Sequence, residues 1–127
     1  MSKIWRMLRY ARRESKRSAH HHRIGVVICQ GSTVISRGFN QVRAARVGST
    51  FTNYPESLHA ERHACMQVQR ESIRGNTLYI WRETKQGLPA KSLPCINCIR
   101  LLEELQIHKI IHSDSEFPFY KILRLYQ

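Results

Sequence analysis

Apolar side chains return along this chain with two different periods. Ile4, Trp5, Leu8 and Ala11 recur at helical spacing with arginines between them, which predicts an amphipathic helix over residues 2–17. Ile24–Gln30 and Thr33–Phe39 are short β-branched runs separated by Gln30-Gly31-Ser32, a turn signal, and predict a β-hairpin. Residues 40–58 carry Gly, Asn and Pro and read as a loop. Ala60, Ala64, Cys65 and Val68 restore the helical period, predicting a helix that continues to Gly75. Residues 77–81 predict a strand, with Tyr79 and Trp81 taken to alternate between its faces and at least one of them in the core. Residues 83–94 form a polar connection punctuated by Gly87, Pro89 and Pro94. Residues 95–105 predict a helix with Ile99, Leu102 and Leu105 on one face, and residues 109–112 a short strand. The tail FPFYKILRLYQ is apolar and aromatic; it is expected to pack as a helix or strand, with a partner interface as the alternative.

Strands separated by helices argue for parallel pairing in a layered α/β domain. No repeat, low-complexity tract or linker interrupts the pattern, so residues 1–127 are expected to form one domain, with residues 1–22 a basic helix and loop and residues 115–127 a short tail. A length of 127 residues with 42% hydrophobic content supports a packed core and argues against disorder. No run of eighteen apolar residues is present, so no membrane-spanning helix and no membrane partner are expected. The start of the chain lacks the apolar core of a secretory signal. It is Arg-rich, as organelle-targeting segments are, but its register runs straight into the domain.

Charge changes this picture. Lysines and arginines number 21 against 9 acidic residues, a net of +12. Residues 3–23 hold Lys3, Arg6, Arg9, Arg12, Arg13, Lys16, Arg17 and Arg23 against Glu14 alone. Such a stripe either attracts phosphate, including that of single-stranded nucleic acid, or is a solvated helix face. His20, His21 and His22 follow it and are read as a polar loop, with metal or phosphate binding the sharper alternative.

Four cysteines, at 29, 65, 95 and 98, bring in chemistry. Cys29 and Cys65 lie in apolar elements and are read as core residues. Cys95 and Cys98 follow Pro94 and, without a secretory signal, point to metal or redox chemistry in a reducing, intracellular compartment. Alone, Cys-x-x-Cys is half a zinc ribbon without its second half, or a redox motif placed too late in the chain. Alone, His59-Ala60-Glu61 is weak. Together they are specific. Cys95 and Cys98 share one face of a first helical turn, where unpaired amides are expected to favour thiolates. His59 and Glu61 sit at a loop-to-helix junction, where residues two apart are able to reach one site. Three ligands with an open fourth position form the pattern of a catalytic zinc, whose bound water has a pKa near ~7. Glu61 is left free to shuttle protons.

The pair His59-x-Glu61 and Pro94-Cys95-x-x-Cys98 resembles the signature of zinc nucleobase deaminases. With RIGVVICQGSTVISRGFNQVR, SLHAERHA, NTLYIWR and LPCINCIRLLEELQIHKIIHSD, the chain is similar to the cytidine/deoxycytidylate deaminase superfamily over residues 20–114. The resemblance implies a three-layer α/β/α fold with a mixed sheet of four to five strands and helices on both faces. It implies one zinc per chain on His59, Cys95 and Cys98, with Glu61 as proton shuttle. It places Asn40 and the Ala60 backbone against the substrate and a basic residue, Arg23, near a phosphate. Val26 stands where the family often has Ala, implying a bulkier pocket wall, and His63 where nucleotide-acting members often have Asn. Tyr54 and Phe51 are loop aromatics able to stack on a base or cap the pocket. The chain ends soon after its fourth strand, so the family's fifth strand and last helix are expected to be shortened or missing.

Three functions follow as expectations. One is a deaminase of a free cytidine-type nucleotide or nucleoside. One is a deaminase of cytosine or adenine within single-stranded DNA, RNA or tRNA. One is a non-catalytic zinc-containing nucleic-acid-binding subunit. By analogy with relatives, a homo-oligomer is also expected.

Overall fold

The computed structural model describes residues 2–42 and 57–125. The chain opens with α1 (Lys3–Ser15), whose first turn is capped by the Ser2 hydroxyl accepting from the Trp5 amide at 3.3 Å. The hairpin β1 (Ile24–Gln30) and β2 (Thr33–Phe39) turns at Gly31, which has φ +60°. A two-residue ladder, β3 (Gln41–Val42) with β4 (Ser57–Leu58), follows and leads into α2 (Ala60–Cys65) and α3 (Arg70–Ile73). Then come β5 (Thr77–Glu83), β6 (Pro89–Ala90), α4 (Ile96–Glu104), β7 (Lys109–Ser113) and β8 (Tyr120–Arg124).

The main sheet has six strands in the order β2-β1-β5-β7-β8, with β6 on β5. The parallel pairing expected of helix-separated strands holds for β5 and β7 alone, across α4. β1 and β5 are antiparallel, because the hairpin sets its apolar strand β1 in the interior and β5 joins it on the side opposite β2. The single helix expected up to Gly75 is broken after Cys65: the Gln67 amide donates to the His63 carbonyl at 3.2 Å, satisfying an orphan acceptor at the end of α2. The fifth family strand, expected to be shortened or missing, is present as β8, antiparallel to β7.

Alternation along the strands builds two cores. Val27, Cys29, Tyr79, Trp81 and Ile111 face α1 and pack on Met7, Leu8 and Ala11. Val26, Ile28, Leu78, Ile80 and Ile110 face the other way, onto Ala60, Ala64 and Leu102. Tyr79 and Trp81 are two apart and therefore share a face; the alternation expected of them fails on the strand period itself. Two glycines permit the close approach of helices to these faces. A Cβ on Gly25 would overlap the Ala11 carbonyl, and one on Gly38 would lie 2.5 Å from the Ala60 carbonyl oxygen.

Two basic residues at the C-terminal end of α1 help to dock it. Arg12 Nε lies 2.7 Å and Lys16 Nζ 3.3 Å from the Glu83 carboxylate, which also accepts from Trp81 Nε1 at 2.8 Å. Partial burial opposes the charge on Glu83, but these hydrogen bonds outweigh it and hold its pKa below the usual carboxylate value. A depressed carboxyl pKa stabilises the fold above the unfolded value, near ~4.3, and the contribution fades as pH falls through the folded value. Glu83→Gln is therefore expected to cost about 1–2 kcal/mol at pH 7, discounted for the exposed cations, and little in strong acid. Urea denaturation of both proteins at pH 7 and in acid checks this; an equal difference at both would refute it.

Candidate active site

His59 and Cys95 are the N-cap residues of α2 and α4, with extended backbones at ψ 146° and 163°. This is the junction geometry that lets residues two apart converge. Glu61, one residue into α2, is 4% exposed and lines the same cavity as His59 and Cys95. Cys98, one turn into α4, is 2% exposed.

His59 Nδ1 lies 3.3 Å from Cys98 Sγ and 3.7 Å from Cys95 Sγ, and all three donor atoms fall within 4.8 Å of one another. Tetrahedral zinc, with Zn–S near ~2.3 Å and Zn–N near ~2.0 Å, needs N-to-S separations of about 3.6 Å. Both measured separations lie within 0.3 Å of that requirement. Two sulfurs and one imidazole nitrogen also match zinc in donor chemistry. Among the described residues this is the one cluster of three or more such groups.

The electrostatics of the metal-free pocket differ from expectation. The helix N-terminus was expected to lower the thiol pKa of Cys98. Burial instead pushes it up, reinforced by the Glu61 carboxylate and by Cys95. Burial likewise raises Glu61, against a backbone hydrogen bond and the nearby His59 that lower it. A dication between these groups reverses the balance, favouring thiolate and carboxylate together.

The cavity has a volume of about 380 Å³. It is lined by His59, Glu61 and Cys95, by the apolar Ile24, Ala60 and Ile80, and by the polar and basic His20, His22, Arg82 and Lys91. Asn40 also lines it, with its amide largely engaged: Oδ1 accepts from the Ile24 amide at 2.9 Å and Nδ2 donates to the His22 carbonyl at 2.6 Å. Two nominated residues lie elsewhere. Val26 is fully buried in the core cluster of Ala60 and Ile80 and does not line the cavity. Arg23 lines a neighbouring cleft with Lys16, His21 and Lys85. Tyr54 and Phe51 fall outside the described residues. His63 accepts from the Phe39 amide at 3.1 Å and serves the packing of α2 on β2. Arg82 and Lys91 were missed, although strand alternation puts Arg82 on the face of Ile80.

Residues 1–113 match the family model described as the cytidine and deoxycytidylate deaminase zinc-binding region. The chain belongs to that family: it is a zinc-dependent hydrolytic deaminase. No curated protein matches the chain in sequence. In fold it is similar to the dCMP deaminase of cyanophage S-TIM5 (TM-score 0.65, 18% identity, 87% of this chain and 82% of that one), which has also been solved with dCMP and dUMP. It is also similar to the cytidine deaminase of Burkholderia pseudomallei (TM-score 0.69, 15% identity, 95% and 91%). A third similar structure is the Thermotoga maritima diaminohydroxyphosphoribosylaminopyrimidine deaminase/reductase (TM-score 0.56, 18% identity), of which 31% is covered against 92% of this chain. The four cysteines are free, and among the described residues no helix is long and apolar enough to cross a membrane.

Proposed function

We propose that this deaminase converts cytosine to uracil, releasing ammonia, in a free cytidine or deoxycytidine nucleotide or nucleoside. The observation that carries this is one cavity of about 380 Å³, the size of a small-molecule site, lined by the buried Glu61 carboxylate together with His59 and Cys95. When bound, zinc supplies Lewis acidity and brings the pKa of a coordinated water to about 7. Glu61 accepts one proton from the attacking water and passes it to the ring nitrogen, then takes the remaining proton of the newly added hydroxyl and delivers it to the amine, which leaves as ammonia as the carbonyl forms. The base sits against Ile80 and Ile24, which exclude bulk water and keep the carboxylate in an apolar setting. The Ala60 backbone meets the base edge, and Asn40 meets the sugar with what hydrogen-bonding capacity its clamp leaves free.

A polynucleotide substrate is the second reading, motivated by the net charge of +12. Against it, α1 packs on the sheet face opposite the cavity, which sets its cations away from Glu61 and His59. A non-catalytic role is disfavoured by Glu61, since burying a carboxylate is costly in a site that does no proton transfer. The test is uracil formation by zinc-loaded protein from deoxycytidylate, deoxycytidine, cytidine and cytosine-containing single-stranded DNA at 50 and 200 mM salt. Turnover of the free compounds is expected. Turnover of DNA alone, falling steeply with salt, would overturn the proposal.

A further inference from the structure

We infer that the outward face of α1 is a docking surface for the phosphate backbone of double-stranded DNA, on the side of the sheet opposite the catalytic cavity. The inference does not depend on which base the active site takes.

The helical period builds the surface. Met7, Leu8 and Ala11 are buried against the sheet and fix the inward side of α1. At about 100° per residue, Arg6, Arg9 and Arg13 fall together on the opposite side, and all three are exposed. Neighbours spaced i,i+3 and i,i+4 stand about 5–6 Å apart at Cβ, so these arginines form a single row. Lys3 stands at its start, and Lys16 and Arg17 carry it past the helix end. A helix of 13 residues makes the row about 20 Å long.

Cations extend the row at both ends. Met7 Sδ lies 3.3 Å from Cys29 Sγ, which sets the first half of α1 over the end of β1. Cys29 and Lys109 both pair with Thr77, and Lys109 lies directly opposite Arg124 in the β7–β8 ladder. Strand alternation puts this pair on the face of Ile111 and Tyr120, the face that α1 covers. Like charges directly opposite each other destabilise a sheet, and a polyanion laid across them would relieve that repulsion. At the other end, Lys16 lines a cleft of about 360 Å³ with His21, Arg23, Glu83 and Lys85.

The carboxylates that reach α1 leave the row itself unpaired. Glu83 takes Arg12 and Lys16, and the buried Glu14 takes Arg17. Lys3, Arg6, Arg9 and Arg13 form no ion pair among the described residues. Arg13 lies over the Tyr10 ring, 5.4 Å from its centroid, which steadies its guanidinium on the surface.

The chemistry of the row selects the partner. The apolar side chains of α1 are committed to the core, so it has no apolar face to enter a lipid surface. Its outward residues include no aromatic or aliphatic anchor of the kind that holds a protein partner. Trp5 packs edge-on against Trp81 and Tyr120, and Tyr10 lies under Arg13, so the bases of a single strand gain little stacking here. What remains is repeated positive charge at regular spacing. That suits a polyelectrolyte, whose binding is driven by counterion release. Duplex DNA carries one negative charge per ~1.7 Å of axis, and a convex row of arginines meets its backbone without reading bases.

The test is fluorescence anisotropy of a labelled A·T duplex of about 20 base pairs, which contains no cytosine and is therefore no substrate. The zinc-loaded full chain is expected to bind it with a Kd of ~1 µM at 50 mM salt. With four phosphate contacts, log affinity is expected to fall against log salt with a slope of about −3.6, a loss of more than ~100-fold between 50 and 200 mM. Arg6→Gln/Arg9→Gln/Arg13→Gln is expected to bring the slope to about −1 and to weaken binding at 50 mM by more than ~30-fold. Its thermal melt and zinc content are expected to stay native, because the three side chains are exposed and lie outside the cavity. Arg6→Lys/Arg9→Lys/Arg13→Lys is expected to keep affinity within ~3-fold, since charge and not hydrogen-bond geometry carries the contact. Arg82→Gln, on the cavity side, is expected to bind the duplex as the native protein does. Native affinity in the triple Gln variant would overturn the inference, as would loss of binding in the triple Lys variant or in Arg82→Gln. Tighter binding of oligothymidylate than of the duplex would overturn it in favour of a single strand. Binding to phosphatidylserine vesicles that exceeds binding to the duplex at the same salt would overturn it in favour of a membrane surface.

Discussion

Glu61→Gln is expected to lower kcat by about 10³-fold while one zinc per chain is retained. The reason is the division of labour in the site. His59, Cys95 and Cys98 supply the donor cluster, and Glu61 is not part of it. Glutamine keeps the shape and much of the hydrogen bonding of the side chain but has no proton to accept or return. Stability is expected to hold or rise, because burial already disfavours the charged carboxylate in the metal-free protein. Metal content by mass spectrometry, a thermal melt and a uracil-release assay together separate this role from a structural one. A Glu61→Gln or Glu61→Ala protein with native turnover would sink the mechanism; loss of zinc in Glu61→Gln would reassign the residue as a ligand.

Cys98→Ser is expected to lose zinc, and with it turnover, to below ~1% of the native protein. Burial, Glu61 and Cys95 all disfavour a thiolate at Cys98 when the metal is absent. Each pKa unit of elevation costs about 1.4 kcal/mol. Structural zinc contributes about 10–16 kcal/mol, so the metal wins that contest by a wide margin when both sulfurs are present. Serine offers a hard, high-pKa oxygen in the same dry position and cannot follow. Stripping zinc from the native protein with a chelator should lower Tm by about 10–20 °C, the effect of removing a ligand held about 1,000-fold above its Kd. Cys65→Ala serves as control. That thiol is pushed up to about 12, chiefly by burial, and packs in the core beside Ala64. Its variant should keep zinc. A Cys98→Ser protein with one tightly held zinc and an unchanged melt would refute the ligand assignment.

The zinc motif was legible in the sequence because its logic is local. His59 and Cys95 fall at helix starts, and helix starts announce themselves through a change of period and a proline. The two-sided sheet was also legible, from the β-branched hairpin and the apolar strand at residues 77–81. Pairing direction was not. Whether β5 joins β1 or β2 depends on which strand edge buries the most apolar surface, a quantity spread over the whole chain. The break between α2 and α3 escaped for a similar reason, since it is stabilised by a side-chain cap and not by a helix breaker. The tail resolved into β8 because an open edge of β7 was available to receive it.

Substrate recognition shows the same division. Asn40 and Ala60 line the cavity, while Val26 is in the core and Arg23 in a neighbouring cleft. Arg82 and Lys91 lie on either side of the β5–β6 connection and meet the histidine segment from α1–β1 only in three dimensions.

The sequence by itself determined a zinc-deaminase signature, a layered α/β framework and an excess of positive charge. Each of these is written in residue type and short-range spacing. The tertiary structure decided where the charge goes. It paired Arg12 and Lys16 with Glu83 on one sheet face and set Arg82 and Lys91 at the cavity on the other. The physical reason is that a strand's period sends neighbouring residues to opposite faces, while packing alone decides which face receives α1 and which the cavity.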